Sequence, residues 1–364
     1  MAEEYCDNFY RPELGVGCGM EKKLKVLVVD DATFMTKAIS DLLESDSNIE
    51  VVGVANNGLE GLEKIKELQP DVITLDIDMP VMDGLQAVRH IMIESPVPIV
   101  VLSSLFSDGS ITFEALRLGV VDFVAKPSGA ISSDIHTAKQ HIVDRIKLAS
   151  AVNFQNIRRV RINKRKRTGG IDDMYGFHPL DYLIAIGTSL TGPNTFIRLM
   201  TRLNAGLPAA AVILLEISPK ILAAFAEKFN EFVHWKIEVA RQGTVLEQGV
   251  CYIQSNVTAL TVGLNENGDP CFQLSDRVEN PLDTFFRSAA EVFRENTVGV
   301  LLTGYGNDGS DGFAAIQEKA GKTIAQSVDS CVYPSLADTA IKRNKVNLIA
   351  EETKLAEAIE SVLG

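Results

Sequence analysis

Long apolar segments are missing from this sequence. No stretch approaches the roughly 18 consecutive apolar residues of a membrane-spanning helix, and the opening segment MAEEYCDNFYRPELG is acidic and polar, unlike a secretory signal peptide. Cysteine is also scarce: the five cysteines show no CxxC spacing, and their odd number fits a reducing compartment better than a disulfide framework. We therefore expect a cytoplasmic protein with no membrane-inserted part.

Positive charge is in the minority. The chain has 35 Lys and Arg residues against 48 Asp and Glu residues, and its formal net charge of -13 disfavours a generally nucleic-acid-binding surface. Seven basic residues nevertheless crowd into the segment 158–167. We interpret this run as part of a solvated linker. A DNA-binding regulator stays open as an alternative, although no aromatic residues interleave with the run and no helix-turn-helix pattern follows it.

Short apolar runs alternate with amphipathic stretches along most of the chain. From Leu24 the runs KVLVV, VVGVA, DVITL, PIVVL and VDFVA are separated by helix-like segments, which predicts a five-stranded parallel, flavodoxin-like sheet. A second series begins at Tyr182, includes an antiparallel hairpin turning at Asn267 and Gly268, and predicts a doubly wound, Rossmann-like α/β domain. The expected divisions are a flexible extension (1–23), a first domain (24–147), a basic linker (148–180) and a second domain (181–364).

Acidic side chains follow two predicted strands of the first domain. Asp30 and Asp31 come after KVLVV, and Asp76 comes after DVITL. Because ligands of open α/β sheets sit beyond the carboxyl ends of the strands, we expect these carboxylates to cluster around a hard cation, Mg²⁺. Ser103 and Lys126 end the fourth and fifth strands, so a hydroxyl and an ammonium would face a phosphoryl group on Asp76. The pattern predicts a phosphorylation site.

The segments VVDDATFM, LDIDMPVMDG, VLSS and AKP resemble the response-regulator receiver family over residues 24–145. The resemblance implies that Asp76 accepts a phosphoryl group from a histidine kinase, while Asp30 and Asp31 hold Mg²⁺ beside it. It also implies that the hydroxyl and the ammonium after strands four and five sense the phosphate, and that Phe123 is the aromatic switch residue. Phosphorylation adds about two negative charges, enough to reposition the surface around those strands.

Two turns of the second domain are candidates for a catalytic site. The turn GTSLTGP follows the run YLIAI and presents Ser189 beside backbone N–H groups that could stabilise an oxyanion. The turn TGYGNDG follows VGVLL and places Asp308 at the same edge of the predicted sheet. The first turn by itself also fits ordinary strand-to-helix turn chemistry without catalysis.

The segments AIGTS, FAEKFN, LTGYGNDG and IAQ are similar to those of the chemotaxis receptor methylesterase (CheB) family over residues 181–362. That family hydrolyses glutamate methyl esters on chemoreceptors and deamidates certain glutamines. The resemblance implies a nucleophile at Ser189, a triad aspartate at Asp308, and chemoreceptors as substrates or binding partners. The family's third triad member, a histidine, falls on Glu216 in this sequence.

The glutamate at this position governs the activity that we expect. A serine hydroxyl needs a base of near-neutral pKa, and an ordinary glutamate, with a pKa of about 4.3, is a weak one. Removing the histidine of a serine triad can cost on the order of a million-fold in kcat. Further departures from the family lie at Thr191, Tyr305 and Ser255. We expect a weak or inactive esterase; a phosphorylation-gated binding module, with Glu216 as a merely solvated carboxylate, stays open.

Overall fold

The structure is a computed structural model that describes residues 23–103, 109–126, 134–157, 160 and 180–363. These residues form two compact units. The first unit contains residues 23–103, 114–126 and 134–157, and the second contains residues 109–113, 160 and 180–363. The predicted N-terminal extension and nearly all of the basic run lie outside the described residues. No helix within the described ranges is long and apolar enough to span a membrane.

Parallel strands form the sheet of the first unit, in the order β2-β1-β3-β4-β5. Its strands are short and rich in Val, Ile and Leu, and β3 is buried along its whole length, as expected when helices cover both faces. The flavodoxin-like prediction is confirmed. The elements along residues 24–150 are β1 (Leu24–Val29), α1 (Thr33–Glu44), β2 (Ile49–Ala55), α2 (Gly58–Leu68), β3 (Val72–Leu75), α3 (Gly84–Glu94), β4 (Ile99–Ser103), α4 (Gly109–Leu118), β5 (Asp122–Ala125) and α5 (Asp134–Ser150).

Local capping fixes where the helices beside the acidic residues begin. The Asp83 side chain accepts a hydrogen bond from the Gln86 N–H at 2.8 Å and so caps α3. Gly84, the first residue of α3, packs so closely on the backbone of Asp76 that a Cβ there would overlap the Asp76 carbonyl oxygen. The absence of a side chain at this point therefore allows α3 to hold the loop that carries Asp76.

A seven-stranded parallel sheet forms the second unit, in the order β14-β13-β12-β6-β7-β9-β8, with a separate antiparallel hairpin of β10 and β11. The doubly wound prediction and its hairpin are confirmed. The elements are β6 (Tyr182–Gly187), α6 (Gly192–Met200), β7 (Ala209–Leu215), α7 (Leu222–Asn230), β8 (Lys236–Val239), β9 (Val250–Ser255), β10 (Ala259–Leu264), β11 (Pro270–Ser275), α8 (Pro281–Phe293), β12 (Thr297–Leu301), α9 (Ser310–Glu318), β13 (Lys322–Gln326), α10 (Ser335–Lys342), β14 (Leu348–Ala350) and α11 (Leu355–Leu363).

The middle of this sheet brings two turns together. Strands β6 and β12 are hydrogen-bonded neighbours, and Gly187 at the end of β6 pairs with Leu301 at the end of β12. Both strands are almost wholly buried, and phenylalanines of α8 and α9 pack against one another over them, with Phe286 and Phe313 ring centroids 5.3 Å apart. The turns that follow β6 and β12 must therefore meet above the carboxyl ends of the sheet.

Candidate functional site

A group of three carboxylates lies at the carboxyl edge of the first sheet. Asp30 directly follows β1 and Asp76 directly follows β3, two strands that pair side by side. Ligand oxygens of Asp30, Asp31 and Asp76 all lie within 4.8 Å of one another. The side chains of Asp30 and Asp76 are buried, whereas Asp31 is exposed. The clustering predicted from the sequence is thus present, with one open side towards solvent.

Lys126, which follows β5, joins two of these carboxylates. Its Nζ lies 2.6 Å from Oδ2 of Asp30 and 2.7 Å from Oδ2 of Asp76. Three carboxylates against one ammonium leave two negative charges in a largely buried pocket. A divalent, oxygen-seeking cation would balance that charge, and Mg²⁺ commonly keeps several waters while binding through one or two carboxylates. The donor set therefore fits Mg²⁺.

Burial and charge shape the titration of this pocket. Burial raises the pKa of Asp76, and the nearby charge of Asp30 raises it further; the ammonium of Lys126 offsets part of the effect. Burial opposes the charge on Lys126, but hydrogen bonds to Asp30 and Asp76 together with their negative charges outweigh it, and the pKa of Lys126 is raised. The ammonium therefore stays charged and available to an anionic group on Asp76.

The other predicted residues of this site lie on β4 and β5. Ser103 ends β4, and its carbonyl oxygen accepts the N–H of Lys126 at 3.1 Å. Phe123 is half-buried on β5. The structure thus brings Ser103 and Lys126 to the ends of neighbouring strands, and it places Phe123 on the strand that leads to Lys126.

A buried ion pair behind this strand was not expected from the sequence. Asp122 and Arg145 are both buried, and Nε and Nη2 of Arg145 bond the two carboxylate oxygens of Asp122 at 2.5 and 3.2 Å. The same carboxylate accepts the N–H of Phe123 at 2.8 Å. This bidentate pair anchors α5 to the first residues of β5. The partners are 23 positions apart, so no local spacing could have indicated it.

In the second unit, the turns after β6 and β12 are joined by direct hydrogen bonds. The Ser189 hydroxyl donates to the carbonyl oxygen of Tyr305 at 2.7 Å, and the Thr188 hydroxyl donates to the carbonyl oxygen of Thr303 at 2.6 Å. Gly304 lies so close that a Cβ there would stand 2.6 Å from Oγ of Ser189. The glycine therefore permits the contact that holds Ser189 against the second turn.

Thr191 is a strained residue in the first turn. Its φ is 71°, in the left-handed region that β-branched residues rarely adopt, and its side chain is buried. Its Oγ1 lies 3.4 Å from Oγ1 of Thr303, which in turn accepts the N–H of Tyr333 at 2.8 Å. A conformation that costs on the order of 1–3 kcal/mol persists only where its surroundings enforce it, so this turn is held rigidly.

Asp308 caps helix α8. Pro281 opens this helix and has no N–H, so the first free donors belong to Leu282 and Asp283. Oδ2 of Asp308 accepts the N–H of Leu282 at 2.8 Å, and Oδ1 accepts that of Asp283 at 2.9 Å. Asp283 of α8 in turn caps α9, because its Oδ1 accepts the N–H of Gly312 in the first turn of that helix at 2.6 Å. We call this the reciprocal cap, formed by Asp283 and Asp308.

The reciprocal cap places two carboxylates side by side in a mostly buried position. The pKa of Asp308 is raised to about 6, chiefly by burial and also by the charge of Asp283, while the N–H groups of α8 act in the opposite direction. The pKa of Asp283 is also raised, again chiefly by burial. Asp283 did not emerge from the sequence as a candidate; an acidic residue two positions after a helix-opening proline was the one available signal.

Glu216 follows β7 and is half-buried. The hydrogen bonds of Ser189 and Asp308 lead elsewhere, to Tyr305 and to the first turn of α8. Within the described part of the chain, no hydrogen bond links Ser189, Asp308 and Glu216 into a triad. A carbonyl oxygen orients a hydroxyl but cannot remove its proton, so the observed partner of Ser189 is not a base.

Comparison with known proteins finds a family match in each half of the chain. Residues 26–137 match the family described as response regulator receiver domain, and residues 184–359 match the family described as CheB methylesterase. A solved structure of the response regulator domain of Thermotoga maritima CheB is 43% identical, with a TM-score of 0.34, over 36% of this chain and 99% of that chain.

Known relatives match nearly the whole chain. A protein-glutamate methylesterase/protein-glutamine glutaminase of Caldanaerobacter subterraneus subsp. tengcongensis is 33% identical over 93% of this chain and 96% of the relative. A protein-glutamate methylesterase/protein-glutamine glutaminase 2 of Carboxydothermus hydrogenoformans is 36% identical over 93% of this chain and 98% of the relative. Both matches run through the two domains, so the chain belongs to the CheB methylesterase family, as a member in which a response regulator receiver domain precedes the methylesterase domain.

Proposed function

We propose that this chain is a chemotaxis response regulator in which a histidine kinase phosphorylates Asp76 and thereby controls the second domain. The receiver domain would span residues 24–147 and the methylesterase-like domain 181–364, joined by the basic linker. The observation that carries the phosphorylation proposal is the bridge from Lys126 to both Asp30 and Asp76. It keeps a cation beside the one acidic residue that directly follows β3.

The residues of the pocket have distinct parts in this proposal. Asp30, Asp31 and Asp76 would hold Mg²⁺, which supplies positive charge to the phosphoryl oxygens. Lys126 already lies 2.7 Å from Asp76 and would pair with the phosphate. The hydroxyl at the end of β4 would donate to it, and Phe123 on β5 would respond to that movement.

Labelling with acetyl phosphate and Mg²⁺ tests the phosphoacceptor. We expect the wild type to be labelled and Asp76→Asn to remain unlabelled. Asp78→Asn is the matched control, because Asp78 is an exposed acid two positions further along the chain and should leave labelling unchanged. Equal labelling of the wild type and Asp76→Asn would overturn the assignment.

We further propose that the second domain binds chemoreceptors and turns over their glutamate methyl esters weakly or not at all. The relatives' names refer to methylesterase and glutaminase activities. The hydrogen bond from Ser189 to the Tyr305 carbonyl supports low turnover, because it occupies the hydroxyl without activating it. Glu216, at the position of the family's histidine, is a poor substitute base. The second candidate function is a phosphorylation-gated adaptor without any turnover, which the same hydrogen bond favours.

Methanol release from methylated receptor by the phosphorylated chain tests the activity. Glu216→His should raise the rate, because a positioned general base contributes about a hundred- to ten-thousand-fold. Glu227→His is the matched control, since it introduces the same side chain at an exposed position of α7 and should change nothing. The proposal fails if the wild type is already active, Ser189→Ala abolishes that activity and Glu216→Ala leaves it unchanged, because a different base must then serve Ser189.

A further inference from the structure

Three exposed apolar side chains follow strands of the first sheet on the side of the acidic pocket. Phe34, the second residue of α1, is 78% exposed, and Leu59, the second residue of α2, is 47% exposed. Val81 lies in the loop between β3 and α3 and is 80% exposed. Each of these segments begins where a parallel strand ends, so all three residues lie at the carboxyl edge of the sheet. We call Phe34, Leu59 and Val81 the apolar rim.

Backbone hydrogen bonds connect the apolar rim to the pocket. The N–H of Ala32, at the start of α1, donates to Oδ1 of Asp30 at 3.0 Å. The N–H of Gly58, the first residue of α2, donates to the carbonyl oxygen of Met82 at 3.1 Å, directly after Val81 in the chain. The loop that carries Val81 follows β3, as the phosphoacceptor does. The apolar rim therefore adjoins the pocket that would receive the phosphoryl group.

Val81 is held in a conformation that disfavours its side chain. Its φ is 68°, in the left-handed region where a β-branched residue is an outlier. Packing within the chain compensates little, because the residue is mostly exposed to solvent. Strained residues cluster at sites of function, where a contact outside the local fold retains them. A partner that covers Val81 would supply such a contact.

Charge gives a phosphorylated donor no net attraction to this pocket. Three carboxylates face the single ammonium of Lys126, so a divalent cation would bring the pocket only to neutrality. A phosphorylated group is itself an anion of nearly two charges. A protein donor must therefore draw its affinity from uncharged contacts, and burial of apolar side chains is the main source of these. Because a histidine side chain is short, a protein that brings phosphohistidine to Asp76 must lay its own surface over the apolar rim.

We propose that the apolar rim docks the phosphohistidine-bearing domain of the histidine kinase, through an apolar face around that histidine. This inference rests on the proposed function, because it names the surface by which the donor reaches Asp76. In the docked pair, the P–N bond of the phosphohistidine breaks as a P–O bond forms to Asp76. The electron pair of the broken bond stays on the imidazole nitrogen, which takes a proton from water. Three side chains make a small contact, so the complex is transient.

Two phosphodonors separate docking from chemistry in the full chain. The protein donor is a chemotaxis histidine kinase autophosphorylated with radiolabelled ATP, and the small donor is acetyl phosphate, which has no surface to dock. Val81→Asn and Phe34→Ala should each slow transfer from the kinase by about tenfold, because each removes an apolar contact from a small interface. Labelling by acetyl phosphate with Mg²⁺ should stay as in the wild type.

Two features keep the comparison specific. Val81→Asn relieves the left-handed strain and should raise the Tm, so slower transfer to this variant cannot come from unfolding. Ile93→Ala is the matched control, because Ile93 is 67% exposed near the end of α3, about a helix length away from the carboxyl edge. It should leave both reactions unchanged.

Equal rates of transfer from the kinase to the wild type, Val81→Asn and Phe34→Ala would overturn the proposal while leaving Asp76 as the phosphoacceptor. An equal loss in Ile93→Ala would also overturn it, as would a wild type that acetyl phosphate labels and the kinase does not. A matching loss of labelling by acetyl phosphate in both rim variants would assign them to the chemistry rather than to docking. A wild type that neither donor labels would refute the proposed function together with this inference.

Discussion

Replacement of Asp308 by asparagine tests the reciprocal cap through its pH dependence. Burial raises the pKa of Asp308 to about 6, against an ordinary value of 3.8. Between these two values the folded protein holds a proton that the unfolded chain has released. The contribution of Asp308 to the free energy of unfolding therefore falls as the pH rises through this window. The difference in pKa corresponds to about 3 kcal/mol at most.

The expected result is a pH-dependent difference between the two proteins. From pH 4 to pH 7 the wild type should lose up to about 3 kcal/mol relative to Asp308→Asn, whose side chain does not ionise. The variant also loses one of the two hydrogen bonds to α8, a constant penalty of about 1 kcal/mol that does not change with pH. The slope, rather than the offset, is therefore the signature of the buried carboxyl.

Urea-induced unfolding followed by tryptophan fluorescence provides the measurement. Trp235 is the chain's single tryptophan, is 1% exposed, and lies in the second unit, so it reports on the unit that contains the reciprocal cap. Asp276→Asn, at an exposed carboxylate, is the control and should leave the slope as in the wild type. A difference between wild type and Asp308→Asn that stays constant from pH 4 to pH 7 would refute the reasoning.

Three further substitutions test local features of the fold. The Thr74 hydroxyl is buried without a hydrogen-bond partner among the described residues, so Thr74→Val should raise the free energy of unfolding by about 1 kcal/mol, measured by circular dichroism in urea. Val81 has a φ of 68° and is 80% exposed. Because asparagine adopts this left-handed conformation more readily than valine, Val81→Asn should raise the free energy of unfolding by about 1 kcal/mol and raise the Tm; an unchanged Tm would contradict this. A Cβ in Gly304→Ala would meet the backbone N of Ser189 at 2.8 Å, so tryptophan fluorescence in urea should show a loss of about 2 kcal/mol, and wild-type stability would contradict the close contact.

Much of the fold follows from local pattern. Alternation of apolar runs with amphipathic stretches predicted both parallel sheets, and the turn at Asn267 and Gly268 predicted the hairpin; all three are present. The strand ends also placed Asp30, Asp76 and Lys126 correctly relative to one another, because parallel strands carry their carboxyl ends to one edge. The family resemblance of both domains is confirmed by the comparisons. The catalytic parts assigned to Ser189, Asp308 and Glu216 stay predictions.

The sequence by itself determined the order of the elements and the kinds of residue that reach each sheet edge, because periodicity and turn chemistry act over a few neighbouring positions. Only the tertiary structure decided which partner each of those residues has. Asp308 binds the N–H groups of α8, 25 and 26 positions earlier in the chain, and Ser189 binds a carbonyl 116 positions later. Such pairings depend on how helices and turns pack in three dimensions. The identity of a side chain alone does not decide whether its partner is a base, the N–H groups at the start of a helix or a carbonyl oxygen.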